Sequence, residues 1–413
     1  MHNSTRARSE QNLATLLTGG HAQEILRVAY AGRAQVRSWA LHAVHHRPGA
    51  GVTAGYSVIF DADPADGRGS DRYVLVSSAK LNEQRLVADG GVSLQWDTHR
   101  IHVWEHPYDP ELPALRLGCD PNALSQKLAE HVEIELLAYR PTRRAVLRID
   151  RGDTTQYVKI VRPRAYRELL DRFTMLERSP VPTPRLVHSD PAGLLVISGL
   201  NGTPLNRIYA ALKTTPERSA RPILDQLAQT LDGLPLVALG LKPRPAWVDR
   251  CEHYGDAAAV ALPDQRARID RLVSGIRELL AKADLGPIVP THGDFYEANI
   301  LIDPDTLEVS GLLDVDSLGP GYRVHDWACL LGHLSVLPGL SPKSYSHVPA
   351  ILQDWRLRVV RWVDPVALGA SAAGVTLSLV SGARKSSKPN WQVEAESRLR
   401  VAEEWLKFGR ESI

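Results

Sequence analysis

Cysteine, methionine and phenylalanine are scarce in this chain, at three, two and four among 413 residues. The cysteines, Cys119, Cys251 and Cys329, are odd in number, far apart and in no metal-ligand spacing. That speaks against a disulfide framework or a zinc motif and points to free thiols in a reducing compartment. An excess of one charge is lacking too. With 49 Lys and Arg against 47 Asp and Glu the formal net charge is +2, so composition calls for no nucleic-acid partner. Met1 to Asn12 is polar and has no apolar core to serve as a secretory signal, and Met1 to about Glu10 reads as a disordered leader. The most apolar late run, Val366 to Val380, is interrupted by glycine and serine and too short to span a bilayer, which leaves a buried helix. The expectation is a soluble, cytoplasmic chain with no membrane partner, long enough for two or three domains.

What is present is one dense stretch, Thr291-His292-Gly293-Asp294-Phe295-Tyr296-Glu297-Ala298-Asn299-Ile300-Leu301, followed by Gly311-Leu312-Leu313-Asp314-Val315-Asp316. A loop carboxylate is followed five residues on by a side-chain amide, and an apolar strand then ends in a second carboxylate fifteen residues after Asn299. Phosphoryl transfer needs that kit: a base to orient a hydroxyl, and an amide plus a carboxylate to hold magnesium on nucleotide phosphates. His-Gly-Asp alone is a common tripeptide, and Asp294 on its own fits a turn cap. The joint spacing, with apolar Ile300-Leu301-Ile302, the turn Asp303-Pro304-Asp305 and apolar Leu312-Leu313, is far more specific.

This pattern resembles the aminoglycoside phosphotransferase and choline kinase superfamily, the small-molecule branch of the protein kinase-like fold. The resemblance covers about Glu133 to the C-terminus. It implies Asp294 as catalytic base and Asn299 and Asp314 as magnesium ligands. It also implies His292 as a hydrogen-bonding brace and Asp326 as a helix cap that buttresses the loop. Asp316 stays open between a metal-side role and a solvated turn carboxylate. ATP and Mg²⁺ are the implied cofactors. The nine residues between Asp316 and Asp326 leave no room for a peptide-docking activation segment, which argues against a protein kinase.

Upstream, strand-like runs recur. Ile134 to Ala138, Ala145 to Ile149 and Tyr157 to Val161 are three strands, and Lys159 stands mid-strand among apolar neighbours, where a bare ammonium is costly unless paired. The family resemblance implies that Lys159 holds the α/β-phosphates. Its ion-pair partner is Glu168, in the first turn of a helix from Tyr166 to Glu177, with Glu177 as the other candidate. Ser198 to Leu200 is the expected hinge, whose backbone would read adenine. Kinases usually cover the phosphates with a glycine-rich hairpin. The corresponding turn here, Arg140 to Arg144, has three arginines and no glycine, so either guanidinium groups replace backbone amides or the hairpin leaves the nucleotide alone.

An earlier set, with Trp39 to Val44, Gly55 to Phe60 and Tyr73 to Val76 as strands, repeats the order strand, Arg-Pro loop, strand, turn, strand. This reads as a degenerate internal repeat in which Leu75 stands where the second copy has Lys159. Pro107 to Pro113 reads as an extended connector. The expected architecture is therefore α+β: an N-terminal cap (residues 1–118), a β-rich N-lobe (119–200) and a helical C-lobe (201–413). A cap before the lobes is similar to the bacterial maltokinase and glucosamine kinase group, although the His-Gly-Asp-Phe-Tyr-Glu loop departs from theirs. The expected acceptor is a small-molecule hydroxyl, with a sugar or amino sugar ahead of an aminoglycoside, because Leu205 to Pro290 holds no acidic run for a polycation. A catalytically silent binding module is the reading from another class.

Overall fold

Residues 12–47, 51–61, 71–152, 154–212, 220–385 and 390–413 are described by the computed structural model; the expected leader, turn residues 48–50 and 153, and most of the loop from Asp61 to Asp71 lie outside them. Two helices come first, α1 (residues 12–18) and α2 (His21–Ala29). Leu13, Leu17, Ile25 and Leu26 recur at helical spacing and are all buried. They pack on one face of an antiparallel sheet built from β1 (Val36–Arg47), β2 (Gly51–Phe60), β3 (Asp71–Ser77), β4 (Val92–Trp96) and β5 (His99–Glu105). Its order is β1-β2-β3-β5-β4, and α3 (Glu83–Ala88) lies between β3 and β4 in the chain. Strand alternation aims Ala54, Tyr56, Val58, Val74 and Val76 at the helix pair.

The pattern then runs a second time. Helices α4 (Leu115–Gly118) and α5 (Pro121–Leu128) precede β6 (Glu133–Arg140), β7 (Arg144–Arg151) and β8 (Thr154–Val161). Helix α6 (Pro163–Leu176) follows, then β9 (Leu186–Asp190) and β10 (Leu194–Ser198). The sheet order is β6-β7-β8-β10-β9, the same as the first. Asp120 starts α5 by accepting from the amides of Asn122 and Ala123, both at 3.0 Å, with Pro121 at the first helical position. Leu115 and Leu124 then cover Leu147, Ile149, Val158 and Ile160, as α1 and α2 cover the first sheet.

The register corrects the sequence comparison between the copies. At the two hairpin tips Arg47 pairs with Gly51 and Arg140 with Arg144. Two residues further along each second strand, Thr53 pairs with Ser77 and Val146 with Lys159. The other neighbours agree: Ser77 pairs with His102 and Lys159 with Leu195, each three residues before the end of its strand. Ser77, not Leu75, therefore holds the position of Lys159. A shift of two residues keeps the face, so Leu75 still projects on the same side. Ser77 is fully buried, with its hydroxyl 2.6 Å from that of Thr53, and beside it Leu75, Leu86 and Trp104 form a small apolar cluster.

Two further expectations change. Helix α6 begins at Pro163, whose fixed φ suits a first turn, and ends at Leu176, so Glu168 is in the second turn and exposed. The connector after β5 is not extended. It folds into turns that bury Asp109 to 1% exposure and bury Leu112 completely.

Contacts divide the chain into two units, Met1–Leu170 with Leu186–Gly199, and Asp171–Arg185 with Leu200–Ile413. Both sheets belong to the first. The second unit opens with β11 (Thr203–Pro204), α7 (Leu205–Ala211), α8 (Arg221–Asp232), α9 (Cys251–Ala261) and α10 (Arg266–Leu280). Strands β12 (Ile288–Thr291), β13 (Ile300–Ile302), β14 (Val309–Leu312) and β15 (Gly319–Tyr322) carry the loop region. Helices α11 (Arg323–Leu340), α12 (Val348–Val359), α13 (Pro365–Val380) and α14 (Trp391–Glu411) complete it. Helix α13 is apolar on every side and packs against α9, α10, α11 and α14. Asp364 caps it through the amides of Val366 and Ala367. A Cβ on Gly369 would lie 2.6 Å from the Cα of Gly409, so that helix crossing requires glycine. Extended to Arg384, this helix is long and apolar enough to cross a membrane, contrary to the sequence estimate, yet 78% of its most apolar 18-residue stretch is buried within the protein.

Candidate active site

Two short sheets of the second unit shape the stretch from Thr291 to Leu301 into a loop. Strand β12 pairs with β15, Thr291 opposite Gly319, and β13 pairs with both β11 and β14, Ile300 opposite Leu312. The chain between β12 and β13 is thereby held at both ends. Gly293 turns it at φ 79°, where an added Cβ would lie 2.9 Å from Ser317 Cβ. Only glycine meets both conditions without strain.

His292 is fully buried and braces the loop from within. Its Nδ1 accepts from the Asp294 amide at 3.3 Å, so Nε2 carries the proton and donates to the Leu313 carbonyl at 2.9 Å. Burial lowers its pKa and keeps the ring neutral, against the opposing pull of Asp326. One side chain thus ties the residue expected as base to the residue just before Asp314.

Asp326 is completely buried and receives the amides of His292 at 3.1 Å and Gly293 at 2.9 Å. It is not the cap of α11, which begins at Arg323 after Tyr322 and has no side-chain cap. Standing four residues into the helix, its carboxylate is turned toward two loop amides that have left strand pairing. Arg323 lies 3.4 Å from the same carboxylate and donates to Leu231 O at 2.9 Å.

Asn299 donates through Nδ2 to the backbone oxygen of Asp294 at 2.9 Å, which fixes Oδ1 as its outward acceptor atom. Its own carbonyl accepts from the Leu313 amide at 2.8 Å, which brings Asn299 beside Leu313 and Asp314. Asp314 adopts φ 54°, ψ 50°, a left-handed conformation that is costly for a residue with a Cβ. Two hard oxygen donors held on adjacent segments suit Mg²⁺, which keeps several waters and takes phosphate oxygens as its remaining ligands. The protein residues fit that ion. Asp316 lies on the short turn that follows, and its charge acts on His292.

Lys159 is half-buried on β8, on the face opposite Val158 and Ile160, with Glu168 on the helix that follows. Ser198 ends β10 and Leu200 opens the second unit, so the expected hinge falls where the two units divide.

Sequence reasoning missed three residues of the second unit. Glu297, in the loop itself, is 5% exposed with one carboxylate oxygen unpartnered, and burial pushes its pKa up to about 7. Tyr209 on α7 is fully buried with an unpartnered hydroxyl, feels the charge of Glu297, and packs edge-on against Trp355 at 5.7 Å. Arg172, 1% exposed, donates to Leu318 O at 2.9 Å. Only Arg172 left a signal: it interrupts the apolar stripe of Leu169, Phe173 and Leu176.

An open-faced β-rich unit followed by a helical unit that carries this loop is a kinase-like fold. Residues 136–343 match the phosphotransferase enzyme family, and the chain belongs to that family. It is similar to an aminoglycoside 3'-phosphotransferase of Streptomyces fradiae, 31% identical over 179 residues, 40% of this chain and 63% of the relative. It is also similar to a streptomycin 3''-kinase of Streptomyces griseus, 29% identical over 199 residues, 44% of this chain and 71% of that one. A solved choline kinase from Cryptosporidium parvum superposes with a TM-score of 0.42 at 12% identity, covering 67% of this chain and 89% of its own.

Proposed function

We propose that the chain transfers the γ-phosphoryl group of ATP to a hydroxyl of a small molecule, with a sugar or amino sugar as the leading acceptor. The observation that carries this reading is the constrained loop: Asp294, Asn299 and Asp314 are tied to one another through His292, Leu313 and the Asn299 side chain. Asp294 orients the acceptor hydroxyl and takes its proton as the bond to phosphorus forms. Asn299 Oδ1 and the Asp314 carboxylate hold Mg²⁺, which when bound offsets negative charge on the phosphates. Lys159 holds the α/β-phosphates, Glu168 orients Lys159, and the backbone around Ser198 and Leu200 takes the adenine edge. His292, Asp316 and Asp326 support the loop. In this reading the catalytic set uses no cysteine and no zinc.

An aminoglycoside acceptor is the second reading. It is favoured by the names of the two relatives. The test is ATP consumption with Mg²⁺ against monosaccharides, amino sugars, maltose and aminoglycosides, with Asp294→Asn as the blank. Turnover should fall on the order of 10²–10⁴-fold in the variant, as for other positioned bases. Equal turnover in the variant would remove Asp294 from its role. Nucleotide binding without turnover of any panel member would favour the silent binding module.

A further inference from the structure

Asp314 holds a left-handed backbone, φ 54° and ψ 50°, at a residue with a Cβ. Such a conformation persists only where the surroundings fix it. On its near side His292 donates to the Leu313 carbonyl, and the Leu313 amide donates to Asn299 O. On its far side lies the short turn Val315–Ser317, closed by the Leu318 amide donating to Val315 O at 3.0 Å. Leu318 is fully buried, and its carbonyl accepts from Arg172 Nε at 2.9 Å. That donor lies 146 residues upstream, on α6.

Arg172 is a costly choice for its place. It is 1% exposed and belongs to the buried stripe of α6, whose other members Leu169, Phe173 and Leu176 are apolar. A guanidinium taken out of water is expensive unless its donors are met, whereas an apolar side chain of similar length would fill the stripe without that cost. Packing alone therefore does not call for arginine here. Directed hydrogen bonding does, because the donors of the planar guanidinium leave it at fixed angles.

We infer that Arg172 is a positioning residue for the expected metal ligand Asp314, holding the far end of its turn as His292 holds the near end. This rests on the reading of Asp314 as a Mg²⁺ ligand given above. Mg²⁺ demands near-ideal octahedral geometry, so a carboxylate that swings freely holds it poorly. With Leu313 and Leu318 both tied, the residues between them keep the carboxylate in one place before the ion arrives. Arg172 acts through the Leu318 backbone and not on the ion itself.

The test uses the full chain with Arg172→Met, which keeps the side-chain length without its donors, and Arg172→Lys, which keeps the charge. ATP affinity is measured by calorimetry with Mg²⁺ and again with EDTA, well below the melting temperature of each variant. Hydrogen exchange over residues 313–319 is followed without nucleotide. Arg172→Met should leave ATP affinity in EDTA unchanged. It should lose, on the order of tenfold, the affinity gained from Mg²⁺, the scale of a hydrogen bond from a charged group. Arg172→Lys should lose less, and exchange over 313–319 should rise in the same order. Should Arg172→Met fail to fold, Arg172→Lys carries the same comparison. Affinity that falls equally with and without Mg²⁺, or falls under neither condition, would overturn the proposal and leave Arg172 a structural residue. If the unsubstituted chain binds no ATP under either condition, the nucleotide reading fails and the role proposed for Arg172 falls with it. Exchange over 313–319 then reports only whether Arg172 holds the turn.

Discussion

His333 shows how the surroundings of the loop set a titration that no motif displays. It packs against Tyr296 with ring centroids 4.3 Å apart, and burial, aided by the charge of Arg398, lowers its pKa from 6.5 to about 4. Folded, it stays neutral; unfolded, it takes a proton near its ordinary value. Its placement therefore costs nothing above neutral pH. Stability drains as pH falls from 6.5 toward 4, because the unfolded state binds a proton that the folded state refuses. At pH 5 the loss is at most about 2 kcal/mol. Urea unfolding at pH 7.5 and pH 5 should show the unsubstituted chain losing more than His333→Asn by up to that amount. Equal losses would mean that His333 is protonated in the folded chain. Position in sequence hides this residue: it stands between Leu331 and Leu334 in the apolar middle of its helix, and its partner Tyr296 lies 37 residues upstream.

At the scale of elements, the loop was legible from its spacing, while its braces His292 and Asp326 were expected only through the family resemblance. The spacing of Asp294, Asn299 and Asp314 is a local property, and the hairpin of β13 and β14 converts it directly into proximity. Asp326 was expected to cap its helix as well as to buttress the loop, and only the cap was misplaced: its partners lie 33 and 34 residues away, whereas a helix cap is judged from its nearest neighbours. The repeat was read correctly as an order of strands but two residues out of register. Tyr73-Val74 and Tyr157-Val158 look alike locally, while register is set by the hairpin tips and the strand ends. Glu297 and Tyr209 left no signal, since helix α7 is brought to the loop region by tertiary contacts with β11 and β13. The two amides held by Asp326 give a prediction here. Asp326→Ala leaves the His292 N–H without a partner in a buried place, at a cost of about 1–3 kcal/mol, and releases the Gly293 N–H, which sits on an exposed residue. The melting temperature should fall. Nucleotide turnover should drop further than the fraction unfolded explains, because the loop itself has been released. Activity that tracks only the folded fraction would show that Asp326 supports α11 rather than the loop.

Across the whole molecule, two five-stranded sheets with one topology raise the question of how many nucleotides a chain can hold. Topology alone would allow two. The chemistry on the equivalent faces allows one. In the first sheet the position of Lys159 is Ser77, engaged with Thr53, and beside it lie the buried His102 and the apolar Leu75, Leu86 and Trp104. A triphosphate brought there would meet buried, largely apolar side chains and lose its hydration, a transfer that strongly disfavours binding. In the second sheet the same face carries a lysine. Calorimetric titration with ATP·Mg²⁺ should therefore give one site per chain. Lys159→Met should abolish that binding, while Ser77→Ala should leave both stoichiometry and affinity as they were. A second site surviving Lys159→Met would show that the first sheet binds nucleotide by a route other than a strand lysine. The loss of Ser77 then becomes the informative variant, because the Thr53–Ser77 hydroxyl pair occupies the positions that Val146 and Lys159 hold in the second sheet.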